Sequence, residues 1–281
     1  MSDGAAIGVF DSGVGGLSVL REIVRQMPYQ EVLYFADTAH VPYGDRPVAE
    51  IRAFAQAITA FLIKQGAQVI VVACNTASAA ALHDLRRRFS VPIVGMEPAV
   101  KPAAALSRNG RVGVIATRTT FQGKLFADLV ARFAQGTTVH TRACPGLVEL
   151  VEAGRLCGTE AETQVRRCLA PLLAAGVDSL VLGCTHYPFL RPVIERVVGP
   201  DVTILDPAPA VARQTGRVLA RLGGLRDKGR GRVTYFTSGE ATLLAAQVRR
   251  LVAIPGPVHH VDLPTDLEVG TQGNRFSANL L

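Results

Sequence analysis

Apolar residues in this chain fall in short runs that stop on small or polar residues. AIGVF at residues 6–10, EVLYFAD at 31–37, QVIVVAC at 68–74 and VPIVGM at 91–96 have the length and the Val/Ile content of buried strands. Between the second and third run, residues 47–65 place Ile51, Phe54, Ala55, Ile58 and Leu62 on one face at helical spacing. Pro47 stands near the start of that stretch and Gly66 just past its end, which predicts a helix over 47–65. Strand and helix alternate, and alternation of this kind predicts parallel sheets flanked by helices.

The pattern then repeats. RVGVIAT at 111–117 is similar to AIGVFDS at 6–12, and Val9 and Val114 are 105 positions apart. VVACNTASAAAL around Cys74 returns as LVLGCTHYPFL around Cys184, 110 positions later, and PAV at 98–100 returns at 209–211 after 111 positions. Like segments in like order at nearly one offset predict an internal duplication. The expected fold is α/β: two similar doubly wound domains related by pseudo-twofold symmetry, with the active site in the cleft between them. Loops at the C-terminal ends of parallel strands line such clefts, and both Cys74 and Cys184 stand at strand ends of that kind.

Composition narrows the class. The chain has 281 residues, 48% of them apolar and 6% aromatic, with no tryptophan, so two cores of Val, Leu, Ile and Ala are expected. No apolar run reaches the ~18 residues of a membrane-spanning helix, and MSDGAAIGVF lacks a signal-peptide pattern; a cytoplasmic protein is expected. Five cysteines, at 74, 144, 157, 168 and 184, include no C-x-x-C pair. They read as free thiols, with neither a disulfide framework nor a metal site. The formal charge of +7 lies in short clusters such as Arg86 to Arg88, Arg166 with Arg167, and 226–232. Without interleaved aromatics these clusters read as solvated faces and not as a nucleic-acid footprint. They also attract small anions.

Two thiols on opposite sides of one ligand suit the inversion of a stereocentre. One group removes a proton from one face while the other donates a proton to the opposite face, and a matched pair works in both directions. Cysteine, with an ordinary pKa near 8.5, can be tuned for this by a helix start or a neighbouring donor. Asn75 and Thr76 after Cys74 read as caps of a following helix, and Pro188 after Cys184 reads as the opening of another. His186, two residues beyond Cys184, can share or shift that thiol's proton.

FDSGVGGLSVL, at 10–20, is a strand, a glycine-rich turn and a helix, an arrangement that cradles anions. It lacks the third glycine of a dinucleotide fingerprint, although Asp37 stands where a ribose-binding acid would. Asp11 and Ser12 read instead as polar groups at a strand end facing the same crevice as Cys74. DTAHVPYG, at 37–44, is a turn-rich loop in which Tyr43 and Gly44 offer a hydroxyl and a bare backbone N–H, while His40 reads as a packing or surface residue.

Taken together, GVFDSGVGGL, YFADTAHVPYG, ACNTAS and LGCTHYP resemble the glutamate racemase family, cofactor-independent isomerases that supply D-glutamate for bacterial peptidoglycan and so for the cell wall. The resemblance implies that Cys74 and Cys184 are the catalytic acid/bases, Cys74 on the D face and Cys184 on the L face of glutamate. It implies support for Cys74 from Asp11, and for Cys184 from His186 and Glu149. Substrate contacts would come from Asp11, Ser12, Tyr43, Gly44, Asn75, Thr76, Thr117, Thr120, Thr185 and His186. No cofactor and no metal are implied.

Thr185-His186 favours glutamate over the related aspartate enzymes, which tend to carry a glutamate at the histidine. Gly123 and Phe126 depart from a serine and a tyrosine common in the family, and DPAPAVA from Asp206 replaces a more usual Asp-Ser-Ala. The alternatives are an aspartate or hydantoin racemase of the same fold, a DNA gyrase-binding regulatory protein, and a redox dithiol protein. Family habit implies a homodimer. The expected division is 1–97 plus 208–281 for the first domain and 98–207 for the second, with the segment from Asp262 unassigned.

Overall fold

The computed structural model describes residues 5–263. Strand β1 (Ala6–Asp11), helix α1 (Leu17–Gln26), β2 (Glu31–Ala36), α2 (Val48–Lys64), β3 (Ala67–Val72), α3 (Asn75–Arg88) and β4 (Ile93–Gly95) form the first run. After α4 (Val100–Leu106) a second run follows: β5 (Arg111–Ala116), α5 (Arg118–Gln122), α6 (Lys124–Phe133), β6 (Thr138–Ala143), α7 (Leu147–Glu152), α8 (Thr159–Ala174), β7 (Ser179–Leu182), α9 (Arg191–Val198) and β8 (Thr203–Leu205). The chain then returns through α10 (Ala208–Arg221), β9 (Arg232–Thr237), α11 (Ala241–Leu251) and β10 (Val258–His260).

Two parallel sheets result. The first has the order β10-β9-β2-β1-β3-β4 and the second β6-β5-β7-β8. Each sheet puts its second strand, first strand, third strand and fourth strand side by side in that order, so the repeat in the sequence is a repeat in space. β9 and β10 extend only the first sheet, pairing β9 with β2 from Glu31↔Arg232 to Ala36↔Thr237.

Strands covered on both faces should be apolar throughout rather than alternating, and β1 is buried at all six positions. Ile7 and Val9 pack with Leu17, Leu20 and Ile23 of α1 and with Val211 and Leu219 of α10. Ala6 and Phe10, on the other face, pack with Ile51, Ile58 and Leu62 of α2 and with Leu85 of α3. Each such fully buried Leu or Ile stabilises the fold by about 2 kcal/mol relative to exposure. The first of these cores continues without a break into the second sheet through Ile115, Leu182, Tyr187 and Val193, which docks the two halves together.

Helix α2 covers the stretch the periodicity predicts, with Pro47 as its N-cap. Gly66, at φ +98°, provides the left-handed residue that ends it. Two expectations change. Cys144 and Cys168 are joined in a disulfide, with Cα atoms 5.5 Å apart, which leaves Cys74, Cys157 and Cys184 as the free thiols. The reading of five free thiols failed because the end of β6 and the middle of α8 lie 24 positions apart in sequence and meet only when the helix packs on its sheet. The segment after Cys184 is also not one helix: Tyr187–Leu190 forms a 3₁₀ turn, and α9 starts at Arg191. Among the described residues no helix is long and apolar enough to cross a membrane. The tail from Asp262 lies almost wholly outside the described residues.

Candidate active site

Cys74 and Cys184 stand just beyond the C-terminal ends of β3 and β7, the third strands of the two sheets. Both are buried, Cys74 to 4% and Cys184 to 7% exposure. Cys74 is itself the N-cap of α3: its backbone is extended, and its Sγ accepts a hydrogen bond from the N–H of Ala77 at 3.4 Å. Asn75 and Thr76, which the sequence suggests as caps, fall instead inside the first turn. Burial pushes the Cys74 thiol well above its ordinary pKa; the nearby Asp11 and Cys184 push the same way, and the Ala77 N–H works against them.

Around Cys74 the polar neighbours are first-sheet residues. Ser12 Oγ lies 4.0 Å from Cys74 Sγ. Asp11, fully buried, accepts from the N–H of Ser12 at 2.7 Å and from the N–H of Gly16. Burial raises the Asp11 carboxyl, and it stays raised despite His186, Cys74 and those two N–H groups, which all favour the charged form. Asp11 Oδ2 also accepts from Thr185 Oγ1 at 3.3 Å, which ties the first turn to the loop carrying Cys184.

Around Cys184 the arrangement differs. His186 Nδ1 is 3.7 Å from Cys184 Sγ, and His186 Nε2 is 2.7 Å from Glu152 Oε1. Burial works to lower the imidazole pKa, but the bonds and charges of Cys184 and Glu152 outweigh it and hold His186 well above its ordinary value. Burial likewise works to raise the Glu152 carboxyl, and His186, the Val14 N–H and Gln247 together bring it below the usual carboxylate range. Both shifts favour the charged pair, a protonated His186 against a Glu152 carboxylate, with the other ring nitrogen facing the Cys184 sulfur.

The glycine-rich turn is an anion cradle, as its sequence predicts, but the anions it holds belong to the chain. Gly16 N–H binds Asp11, and Val14 N–H binds Glu152 at 2.9 Å. Glycine is required there because the two halves meet on it. A Cβ on Gly15 would run into His186 Nδ1 and Thr185 Oγ1, and one on Gly13 into the carboxylate of Glu152.

A chain of hydroxyls spans the remaining wall. Thr76 Oγ1 lies 2.9 Å from Thr117 Oγ1, and Thr117 Oγ1 lies 3.0 Å from Thr120 Oγ1. Thr119 Oγ1 donates to the Gly44 carbonyl at 2.8 Å, closing the 37–44 loop against α5. Tyr43 is buried and its hydroxyl donates to Asp37, which also accepts from Ser238 at 2.6 Å and contacts His40 Nδ1 at 2.7 Å. Asp37 is thus occupied in holding the loop. His40 stacks on Phe54 with ring centres 4.0 Å apart, a packing role. Asn75 is 3% exposed, and neither its amide nitrogen nor its oxygen has a partner. A buried amide with both ends unmet is ready for a ligand that brings its own donor and acceptor.

The ten proposed contact residues and both thiols come together. Glu149 does not join His186. It lies exposed on α7, lining a cavity of about 210 Å³ with Gly44, Thr117 and Cys144 at the rim of the cleft. The carboxylate against His186 is Glu152, one helical turn later. Leu147, Val148, Leu150 and Val151 are buried, and that packing turns Glu149 outward while the helix end delivers Glu152 to the cleft. Ser18 is a second residue the sequence did not single out. Its hydroxyl is shared between the Gly15 carbonyl at 2.8 Å and the Thr185 carbonyl at 3.0 Å, so α1 grips the loop that carries Cys184. Its only sequence signal is a polar residue on the buried face of an amphipathic helix.

Two matched sheets, each followed at its third strand by a buried thiol, define a two-domain α/β fold with paired cysteines. A model of Asp/Glu/Hydantoin racemases matches residues 7–215, and the chain belongs to that family. It is 48% identical over 271 residues to a glutamate racemase of a Roseiflexus species, covering 95% of this chain and 96% of the relative. Its fold superposes on the crystal structure of a Bacillus anthracis glutamate racemase with a TM-score of 0.87 at 36% identity, covering 93% of this chain and 99% of that one. The Escherichia coli glutamate racemase, solved with L-glutamate and an activator, gives a TM-score of 0.82 at 34% identity over 92% of this chain and 99% of that one.

Proposed function

We propose that this protein is a cofactor-independent glutamate racemase that interconverts L- and D-glutamate by two-base proton transfer, working as a cytoplasmic homodimer and supplying D-glutamate for peptidoglycan. The names of its relatives support the substrate, and the L-glutamate complex of the Escherichia coli relative supports it further. The observation that carries the mechanism is the pair of buried thiols at equivalent strand ends with unlike neighbours. Among the described residues the sheet memberships support the division into a first domain of 1–97 plus 208–281 and a second of 98–207, of which 1–4 and 264–281 lie outside the described residues.

In this reading L-glutamate lies between the thiols. The unmet amide of Asn75, the hydroxyls of Ser12, Thr76, Thr117, Thr120 and Thr185, and the Tyr43–Gly44 loop hold its charged groups. Cys184, as thiolate, faces the N–H of the His186 imidazolium and takes the α-proton from the L face. Cys74, whose burial keeps its proton on sulfur, donates that proton to the D face. The carbanion-like state between the two transfers is held by the hydrogen bonds to the substrate carboxylate, which are strengthened by exclusion of water. After one passage Cys184 carries the proton and Cys74 does not, and this is the state that accepts D-glutamate. Asp11, whose carboxyl is raised by burial, lies beside Cys74 and is placed to relay a proton to or from it. Glu152 keeps His186 charged.

Cys74→Ser and Cys184→Ser test the reading. Each is expected to lower racemisation of glutamate by at least about 10³-fold with an unchanged circular dichroism spectrum. Near-wild-type turnover in either variant overturns it, and racemisation of aspartate but not glutamate by the wild type moves the substrate to the alternative.

A further inference from the structure

Glu152 is held by more than its imidazole. Its Oε1 receives His186 Nε2 and the Val14 N–H, while its Oε2 and its backbone carbonyl both face one side chain, Gln247. Gln247 is on α11, 95 positions later, in the segment that returns to the first sheet. Its Nε2 donates to the Glu152 carbonyl at 2.8 Å and lies 3.3 Å from Glu152 Oε2. It is 7% exposed, and its Oε1 has no partner. Chemistry dictates the amide's orientation: a carbonyl and a carboxylate both accept, so the amide must present its NH₂ to them, at the cost of leaving its own oxygen unmet.

A buried glutamine that leaves one end unpaired to serve a single residue at both ends is not explained by packing alone. Glu152 is the last residue of α7, so its carbonyl is one of those that lack a partner within the helix. Gln247 fixes that carbonyl and the carboxylate together, which sets the side chain's direction toward His186. We propose that Gln247 is a positioning residue for the Cys184 half-reaction, a clasp from the returning segment that aligns Glu152, and through it His186, for proton transfer at Cys184. The inference rests on the two-thiol reading above. It gives the returning segment a part in the chemistry: α11 approaches the cleft from the first sheet's side, and the residue it secures serves the thiol of the second sheet.

The two half-reactions make the claim separable from a merely structural role. If the Cys184 step is slowed, removal of the α-proton by Cys184 limits the rate from L-glutamate more fully, and its removal by Cys74 limits the rate from D-glutamate less. Gln247→Met keeps length and removes the donor, and kcat is expected to fall about tenfold, as when an orienting partner of a working side chain is lost. The α-deuterium isotope effect on kcat/KM should then rise from L-glutamate and drop from D-glutamate relative to wild type. Gln247→Glu sets a carboxylate against Glu152, and its activity relative to wild type should recover as pH falls and the new carboxyl gains a donatable proton.

Equal isotope effects from both enantiomers in Gln247→Met, at wild-type values, overturn the proposal even if kcat falls, because fewer well-folded molecules change the rate and not the balance of steps. If Gln247→Met does not fold, the Gln247→Glu profile decides: acid recovery supports the clasp, and a profile parallel to wild type overturns it. Failure of the two-thiol reading shows separately, as retained activity in Cys184→Ser.

Discussion

Glu152 Oε1 and His186 Nε2 meet at 2.7 Å although the residues are 34 positions apart and lie on different elements of the second half. The contact turns an ordinary strand-end thiol into one half of an asymmetric pair. Cys184 faces an imidazolium, while Cys74 faces a buried aspartate and a serine. The duplication supplies two like thiols, and their surroundings are unlike.

Glu152→Gln therefore costs more than Glu149→Gln. Loss of the carboxylate leaves His186 without its counter-charge, and kcat is expected to drop about 10²-fold, whereas Glu149→Gln stays within about twofold of wild type. Steady-state rates on L-glutamate compare the two directly.

The same variant has a pH signature. Glu152 raises the His186 pKa, so its removal lets the imidazolium lose its proton at lower pH. The alkaline limb of the kcat profile moves toward neutrality in Glu152→Gln, and an unmoved limb would detach His186 from the rate.

Stability follows the pair as well. His186 has a raised folded pKa, so its contribution is fully present below the ordinary value of 6.5 and is lost as pH climbs through the folded value. Glu152 has a lowered one, so its contribution is present above the ordinary value of 4.5 and is lost as pH falls through the folded value. Between 4.5 and 6.5 both contributions are complete. In that window Glu152→Gln should destabilise the protein by about 3 kcal/mol, with a smaller gap on either side, measured by thermal melts across pH.

Gly15→Ala probes the seam between the halves. The added methyl meets His186 Nδ1 and Thr185 Oγ1, both part of the loop that carries Cys184. The variant is expected to lose about 1–3 kcal/mol of stability and at least tenfold in kcat, with KM less affected.

The sequence made the architecture legible because its signals are local. Buried parallel strands need unbroken Val/Ile runs, and a duplicated unit writes the same runs twice; the shared strand order of the two sheets is the physical form of the 110-residue offset between Cys74 and Cys184. What the sequence hid depends on tertiary approach. Two glutamates three positions apart on α7 look equivalent until packing turns Glu149 to solvent and Glu152 inward. Cys144 and Cys168 have no spacing signature, and only the seating of α8 on its sheet unites them. Gln247 lies beyond the motifs altogether, on a helix whose relation to α7 exists only because the chain returns to its first sheet.

The two-thiol account is tested most directly by turnover of L-glutamate in D₂O, with the two enantiomers separated at low conversion and each analysed for α-deuterium. The account predicts deuterium in nearly every D-glutamate formed and little in the remaining L-glutamate, because the proton removed and the proton supplied belong to different sulfurs. D-glutamate that keeps the original hydrogen, or deuterium entering L-glutamate as fast as D-glutamate forms, would contradict it.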